Sequence, residues 1–324
     1  MEKNKRILLT GAAGFIGSYL LGFLNKQGFE NIVIADHFGD PEKEPNYADK
    51  RFSSKVERSE LIPWLKEQSF DLVYHLGART DTTEFNYAIH QELNLEYSKR
   101  IWEYCTVNRV PLVYASSAAT YGAGEHGYRD DHYVVEKLRP LNPYGISKNE
   151  FDKWALGQLI SPPSWAGLKF FNVYGPNEYH KERMASVVYH SFNQISASGT
   201  VRLFRSHKPE FQNGEQLRDF IHVDDIARVC VWLMDHGVRP GLYNLGTGKA
   251  RSFNDLVRAV FLALGKTPEI HYIDIPADIR ETYQYFTEAD MTKLKAAGYE
   301  ASFQSLEEGI SAYVKDYLSS HRYY

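Results

Sequence analysis

The sequence predicts a doubly wound α/β protein, a parallel β-sheet with helices on both faces, continued by a smaller C-terminal α/β lobe. Three observations predict it. Short β-branched runs alternate with helix-length amphipathic stretches through the first half of the chain, which is the rhythm of β-α-β units. Those runs are apolar on both faces, as strands buried between two helical layers must be. A glycine-rich turn lies between the first run and the first helical stretch, where such a sheet feeds a strand tightly into a helix.

Taken in order, Arg6–Thr10 reads as the first strand and residues 15–27 as the first helix. Asn31–Asp36, Asp71–Leu76, Pro111–Ser116 and Leu168–Val173 continue the strand pattern, with helices over 90–108 and 143–158 among them. Beyond residue 172 the rhythm weakens. Helices at 184–198, 224–236 and 253–264 sit among longer loops, short strands and a charged stretch from Arg205 to Gln216. The expected division puts 1–171, with about 217–240, in the sheet domain, and 172–216 with 241–324 in the second lobe.

Composition removes several function classes. The 324 residues carry 37 Lys+Arg against 41 Asp+Glu, a net charge of −4, without the basic footprint of a nucleic-acid binder. Apolar runs such as Val229 to Met234 fall far short of the ~18–20 residues a membrane span needs. The first residues lack the apolar core and cleavage site of a signal peptide. Cys105 and Cys230 sit in apolar contexts without C-x-x-C spacing, as thiols of a reducing compartment do. A cytoplasmic protein with no nucleic-acid or membrane partner is expected. The 12 His and two Cys show no metal-ligand spacing, so no metal site is expected.

The turn Gly11-Ala-Ala-Gly14-Phe15-Ile16-Gly17 opens the first helix. Glycines there let backbone N–H groups close on a pyrophosphate, and the helix N-terminus adds partial positive charge. Asp36 ends the next strand, where an acidic residue takes a ribose hydroxyl pair. Together these describe a Rossmann-type dinucleotide site, which makes the sheet domain the NAD(P)-binding one. Asp36 alone favours NAD. His37, Lys43, Lys50 and Arg51 are cations suited to a 2′-phosphate, so NADP is the expectation and NAD the alternative.

Tyr144-Gly-Ile-Ser-Lys148 places a phenol and an ammonium one helical turn apart. Alone, such a pair also describes an ordinary solvated helix face. Its specificity comes from Ala115-Ser-Ser117-Ala-Ala-Thr-Tyr-Gly122, which ends a strand at the carboxyl edge of the sheet, where α/β folds bind ligands. A hydroxyl, a phenol and an ammonium are what alcohol oxidation needs. Tyrosine titrates near ~10; Lys148 and a cationic nicotinamide ring would draw Tyr144 toward neutrality. Ser117 would hold the reacting oxygen, and Lys148 would also bind the nicotinamide ribose.

The G-x-x-G-x-x-G spacing with Tyr-x-x-x-Lys resembles the extended short-chain dehydrogenase/reductases. Tyr114–Gly122, Phe170–Lys181, Met184-Ala-Ser-Val187, Gly214–Phe220, Tyr283–Thr287 and Thr82-Thr-Glu84 narrow this to a resemblance to the ADP-heptose 6-epimerases, covering nearly the whole chain. The resemblance implies inversion of the 6″ carbinol of ADP-D-glycero-β-D-manno-heptose, for lipopolysaccharide core synthesis, by hydride removal and return to the opposite face. It implies a tightly held NAD(P) that is not consumed, and a homo-oligomer. Tyr144 and Lys181 become the two acid/base groups. His75-Leu76-Gly77-Ala78 would flank the nicotinamide; Asn94 and Val173 also fall on the cofactor side, Asn94 as a brace. Asn172, Arg183, His190 and Arg218 would contact substrate, with Arg218 on the diphosphate, and Phe204-Arg205-Ser206-His207 and Tyr283 would close the pocket.

Two departures stand out. Glu182 follows Lys181 where the family has glycine, which leaves it to pair with Lys181 or Arg183. The segment Arg51–Arg58 is expected to lack the acidic residue that often holds adenine in this superfamily, which bears on cofactor affinity and on the choice between NAD and NADP. The alternatives are a nucleotide-sugar 4-epimerase, a 4,6-dehydratase (which commonly carries an acidic pair where this chain has Ala118-Ala119) and a non-catalytic nicotinamide-binding sensor.

Overall fold

The computed structural model describes residues 3–237, 239–280 and 283–324. Its strands are β1 (Ile7–Thr10), β2 (Ile32–Asp36), β3 (Ser54–Glu57), β4 (Leu72–His75), β5 (Leu112–Ser117), β6 (Trp165–Phe170), β7 (Asn172–Tyr174), β8 (Val201–Phe204), β9 (Leu217–His222), β10 (Gly241–Leu245), β11 (Ala250–Ser252) and β12 (Ile270–Ile273). Its α-helices are α1 (Phe15–Lys26), α2 (Arg58–Leu65), α3 (Tyr87–His90), α4 (Tyr97–Val107), α5 (Pro143–Leu156), α6 (Val187–Ser198), α7 (Val223–His236), α8 (Phe253–Ala263), α9 (Ala277–Arg280), α10 (Thr292–Ala296) and α11 (Leu306–Asp316).

Seven strands form one parallel sheet in the order β10-β6-β5-β4-β1-β2-β3. β1, β4 and β6 are buried along their whole length, which is why their sequences are apolar without alternation. The direction of winding reverses between β1 and β4, and a crevice opens at the carboxyl ends of strands at such a switch point. The remaining strands make a three-stranded sheet, β11-β9-β7, and a parallel pair, β12-β8. Beside them α6, α8 and α11 share a second core around Val188, Phe192, Leu256, Val260, Ile310 and Val314.

The stretch read as one strand, Leu168–Val173, breaks at Phe171. β6 stays in the main sheet, and β7 pairs with β9 in the smaller one. β3 carries too few apolar residues to stand out, because it is an edge strand with only Val56 buried, and α2 is short and holds Pro63 within it. β10, from a segment assigned to the second lobe, lies at the edge of the main sheet beside β6.

Helix starts follow capping chemistry. Asn142 accepts from Gly145 N at 2.8 Å and Pro143 opens α5, while Ser252–Asp255 and Ser305–Glu308 form reciprocal capping boxes on α8 and α11. α1, like α2, α4 and α10, has no side-chain cap; the N-cap of α1 is Gly14, and its first turn holds no acidic residue.

Candidate active site

The exit of β1 and the exit of β4 face each other across the switch point. Gly11 sits at φ +75, and a Cβ there would lie 2.6 Å from Gly77 N; a Cβ on Gly17 would lie 2.1 Å from Gly11 O. The turn is therefore pressed against its own helix and against Leu76-Gly77, which no side chain permits. Ala13 N and His37 N both donate to the Asp36 carboxylate, at 2.9 and 2.7 Å. A glycine cradle, an uncapped helix N-terminus and a carboxylate fixed beside them suit a dinucleotide. Phe15 and Ile16 begin α1 directly below.

The cations at the adenosine end are less available than the sequence suggests. Lys50 donates to Tyr324 O at 2.6 Å and to Asn46 O. Arg51 pairs with Glu30 at 2.8 Å. His37 faces Glu57 at 3.1 Å, and Phe38 N also donates to that carboxylate. Burial pushes Glu57 up, but these two partners outweigh it and hold the group below its ordinary value. Glu57, within the Arg51–Arg58 segment, lies opposite Asp36 in register. Lys43 lies in the short turn Pro41–Asn46, and its charge is felt at His180.

Tyr144 and Lys148 lie on α5, against the end of β5. Lys148 is buried and donates to Ala115 O at 2.9 Å, and burial lowers its pKa to about 8. Burial also raises Tyr144; a hydrogen bond with Ser117 opposes this and Asp152 adds to it. Burial is the largest of these effects on Tyr144. Ser117 is fixed as well, accepting from Ala119 N at 3.1 Å and receiving Thr120 Oγ1 on its carbonyl at 2.8 Å.

Asn94 is turned into the protein. It is 1% exposed in a π-helical turn, Gln91–Glu96. Its Oδ1 accepts from Arg79 N at 2.7 Å and its Nδ2 donates to Arg79 O, Ser147 Oγ and His90 Nδ1. These bonds tie α5 to the loop after β4. His90 has no counterpart among the expected residues. It is fully buried, its ring lies edge-on to Tyr144 at 6.4 Å, and its Nε2 donates to Glu84 O.

Lys181 lies in the short turn Tyr179–Met184, with its Nζ 5.4 Å above the ring of Phe15. Burial lowers its pKa and the nearby Glu178 raises it, the first effect being larger. Glu178, also unforeseen, is fully buried and accepts from Ser186 N, Ser186 Oγ and Gly175 N. Glu182 has φ +47 and ψ −125, a conformation natural to glycine and strained for other residues. Among the described residues Glu182 makes no ion pair with Lys181 or Arg183. Arg183 turns instead to Thr83 and lies 3.8 Å from Asp81, joining the Thr82–Glu84 loop to the Lys181 turn. His190 Nε2 lies 3.4 Å from Arg183 O on the same loop.

On the far side Arg218 is 7% exposed. Its guanidinium donates to Leu217 O at 2.9 Å and to Gln284 O, and lies 5.5 Å from each of the Phe253 and Tyr283 rings. Among the described residues it has no carboxylate partner. The adjacent Asp219 faces away, accepting from Thr247 N, Thr247 Oγ1, Gly248 N and Ala289 N. Phe204 packs edge-on to Tyr283 at 5.9 Å, and His207 meets the Tyr285 hydroxyl at 2.8 Å. Asn172 reaches Asp219 O and Thr287 Oγ1 at the mouth of β7, next to Val173. Ser206 N donates to Asn213 Oδ1. Arg205 departs from expectation: its guanidinium turns toward β12, to Tyr272 O and Asp274, and is exposed.

Comparison with known proteins agrees with this geometry. The sequence model of the NAD dependent epimerase/dehydratase family matches residues 7–246. An ADP-L-glycero-D-manno-heptose-6-epimerase of Fusobacterium nucleatum is 44% identical over 98% of this chain and 99% of its own length. One from Nitratidesulfovibrio vulgaris is 45% identical over 97% and 98%. The crystal structure of the Helicobacter pylori ADP-L-glycero-D-manno-heptose-6-epimerase superposes with a TM-score of 0.83 at 28% identity, covering 97% of this chain and 96% of that one. A Thermus thermophilus UDP-glucose 4-epimerase in complex with NAD gives 0.74 at 26%, covering 95% and 97%. The chain belongs to the NAD dependent epimerase/dehydratase family, on the branch of the ADP-L-glycero-D-manno-heptose-6-epimerases.

Proposed function

We propose that the protein inverts the 6″ carbon of ADP-D-glycero-β-D-manno-heptose, giving the L-glycero epimer for lipopolysaccharide core synthesis in the cytoplasm. In this reading the main-sheet half of the chain holds NAD(P) and the rest holds the sugar nucleotide. Gly11, Gly14, Gly17 and the N-terminus of α1 would hold the pyrophosphate, Asp36 the adenosine ribose, and Lys148 the nicotinamide ribose. When bound, the nicotinamide supplies a hydride acceptor that returns what it takes. Two carboxylates at the adenosine end, Asp36 and Glu57, with His37 turned to the second, support NAD over the NADP expected from sequence, because like charge opposes a 2′-phosphate.

The chain's own groups handle the proton and the diphosphate. Tyr144 Oη takes the hydroxyl proton in one substrate orientation, with Ser117 Oγ steadying the oxygen. Lys181 Nζ serves the other orientation, in which the opposite face of the 6″ carbon is presented. Arg218, forked toward a pair of phosphate oxygens, anchors the ADP. The observation that carries the reading is Lys181: a second amine brought over Phe15 at the head of α1 and depressed by burial, as a proton-transfer group must be.

Conversion of the ADP-heptose followed by NMR tests this, with UDP-galactose as the competing substrate. The expected outcome is inversion with no net change in nicotinamide absorbance and no solvent deuterium at the inverted carbon. Turnover retained in a Tyr144→Phe, Lys181→Met double variant refutes the assignment. Denaturing the purified protein and identifying the released nucleotide decides between NAD and NADP.

A further inference from the structure

The chain's last residues make a set of contacts that the reaction above does not use. After α11, His321 at φ +51 reverses the backbone, and Arg322-Tyr323-Tyr324 runs back across the cofactor-binding shoulder. The Tyr324 ring stacks on Tyr19 of α1, centroids 3.8 Å apart and planes at 15°, and Lys26 Nζ lies 3.7 Å from its ring centroid. Gly22 makes the room: a Cβ there would lie 3.0 Å from the Tyr324 ring. Tyr323 meets Tyr179 edge-on at 4.9 Å, and the Tyr179 hydroxyl donates to Arg322 O at 2.8 Å.

These contacts converge on the residues immediately before Lys181. Tyr324 N donates to Asn177 Oδ1 at 2.9 Å, and Asn177 Nδ2 donates to Ser18 Oγ at 3.0 Å. Asn177 holds φ +77, a conformation that needs such outside support in a non-glycine residue. Lys50 joins Tyr324 O to Asn46 O, and Asn46 Nδ2 donates to Ala13 O at 2.9 Å and lies 3.1 Å from His180 Nδ1. The loop that carries Lys181 is therefore pinned from one side by the tail and from the other by the glycine turn.

We propose that Tyr323 and Tyr324, locked by Lys50 and Asn46, form a strap that positions Lys181 over the cofactor turn. This rests on the reading of Lys181 as the second acid/base group. The strap residues touch no reacting atom; they act through the 177–180 backbone. A catalytic group displaced by about 1 Å loses up to about 100-fold in rate, so Tyr324→Ala is expected to lower kcat by roughly 10- to 100-fold.

A double-mutant cycle on the cofactor-loaded enzyme separates positioning from general damage. Tyr324→Ala is measured in the native and the Lys181→Met backgrounds, with substrate KM and released-cofactor content followed alongside kcat. Acting through Lys181, the strap variant should lower kcat in the native background, leave cofactor content and KM near their starting values, and add little in the Lys181→Met background. Tyr324→Phe, which keeps the ring and the backbone contacts, should restore turnover. Additive losses, or unchanged kcat in Tyr324→Ala, overturn the strap while leaving the Lys181 reading intact. Full turnover in Lys181→Met overturns both. If Tyr324→Ala does not fold, Lys50→Met, which unties the same strand without removing the stack, decides in the same cycle.

Discussion

Arg218→Met is the sharpest perturbation, because a scaffold role and a ligand role predict opposite balances of stability and affinity. Burying a guanidinium costs several kcal/mol. Its two bonds to carbonyl oxygens return about 1.5–3 kcal/mol each, and its contacts with Phe253 and Tyr283 about 0.5–2 kcal/mol each. With no carboxylate in the sum, these contributions nearly cancel, so replacement by Met should change stability by less than about 2 kcal/mol, or about 3 °C in Tm for a chain of this length. On the ligand side, removing one partner of a desolvated, hydrogen-bonded charge pair costs about 2–5 kcal/mol, which is roughly 30-fold to several thousand-fold in affinity. The assay is ADP binding by titration calorimetry, with KM for the sugar nucleotide and a thermal melt of the same preparation. Arg218→Lys should fall between, since it keeps the charge and loses the fork. A change in ADP affinity below about 3-fold, or a Tm lowered by more than about 8 °C, would refute the reasoning and make Arg218 a structural residue.

Other consequences are as direct. Glu182→Gly should relieve a strain of about 1–3 kcal/mol against about 0.5–1 kcal/mol of added unfolded-state entropy; the expected result is a Tm raised by about 1–3 °C, and a lowered Tm contradicts it. With Lys148 near 8, its charge is present below that pH and lost above it, so kcat/KM should fall as pH rises through about 8, and Lys148→Met should remove that limb at a lower plateau. His75, held neutral to about 3 by burial and by Lys148, binds fewer protons folded than unfolded between that value and the ordinary ~6.5. Stability should therefore drop as pH falls through this window, by about 1.4 kcal/mol per unit from this one group. His75→Gln should flatten the decline in a urea-denaturation series, and an unchanged slope would show that the buried imidazole is not its source.

What could be read from the sequence was what a local pattern determines. The glycine turn, Asp36, Ser117 and the Tyr-x-x-x-Lys pair are each marked by local spacing, and the structure puts them after β1, at the carboxyl ends of β2 and β5, and on α5. Residues whose roles arise from long-range packing were silent. Glu178 lies inside a quoted motif, yet its burial beside Lys181 depends on α6 and Ser186. His90 reads as a helix-surface residue until α5 packs against it. Asn94 reads from the sequence both as a brace and as a cofactor-side residue; its bonds to Arg79 and Ser147 come from packing that nothing local reveals. Arg205 and Arg218 look alike in sequence; only the pairing of β12 with β8 shows that one turns outward to Tyr272 and Asp274. The break between β6 and β7 was hidden because Phe170 and Phe171 are both apolar and both buried, so no change of pattern marks the switch of sheets.

The buried cations of this chain supply an internal contrast that bears on function independently of any relative. Lys169 is fully buried at the end of β6, and it is answered in kind: Asp152 lies 2.7 Å from it, with Thr120 Oγ1 accepting as well, while Tyr114 and Ser116 donate to the same carboxylate. Asp152 is on α5 and Lys169 on β6, both side chains are fully buried, and the charge is closed within the fold. Arg218, Lys148 and Lys181 are treated differently. Among the described residues none of them has a carboxylate within salt-bridge distance, though each is buried enough that its pKa falls. A protein that closes one buried charge so completely has the means to close the others. Glu178 and Asp152 act on Lys181 and Lys148 only from a distance, and burial outweighs them, so an anion or a developing negative charge near these groups would offset part of the cost of burying them. All three border the crevice and its far wall, one beside Tyr144, one over Phe15 and one among Phe253 and Tyr283. Under the proposed function, a diphosphate and a developing alkoxide are the negative charges these three cations would meet.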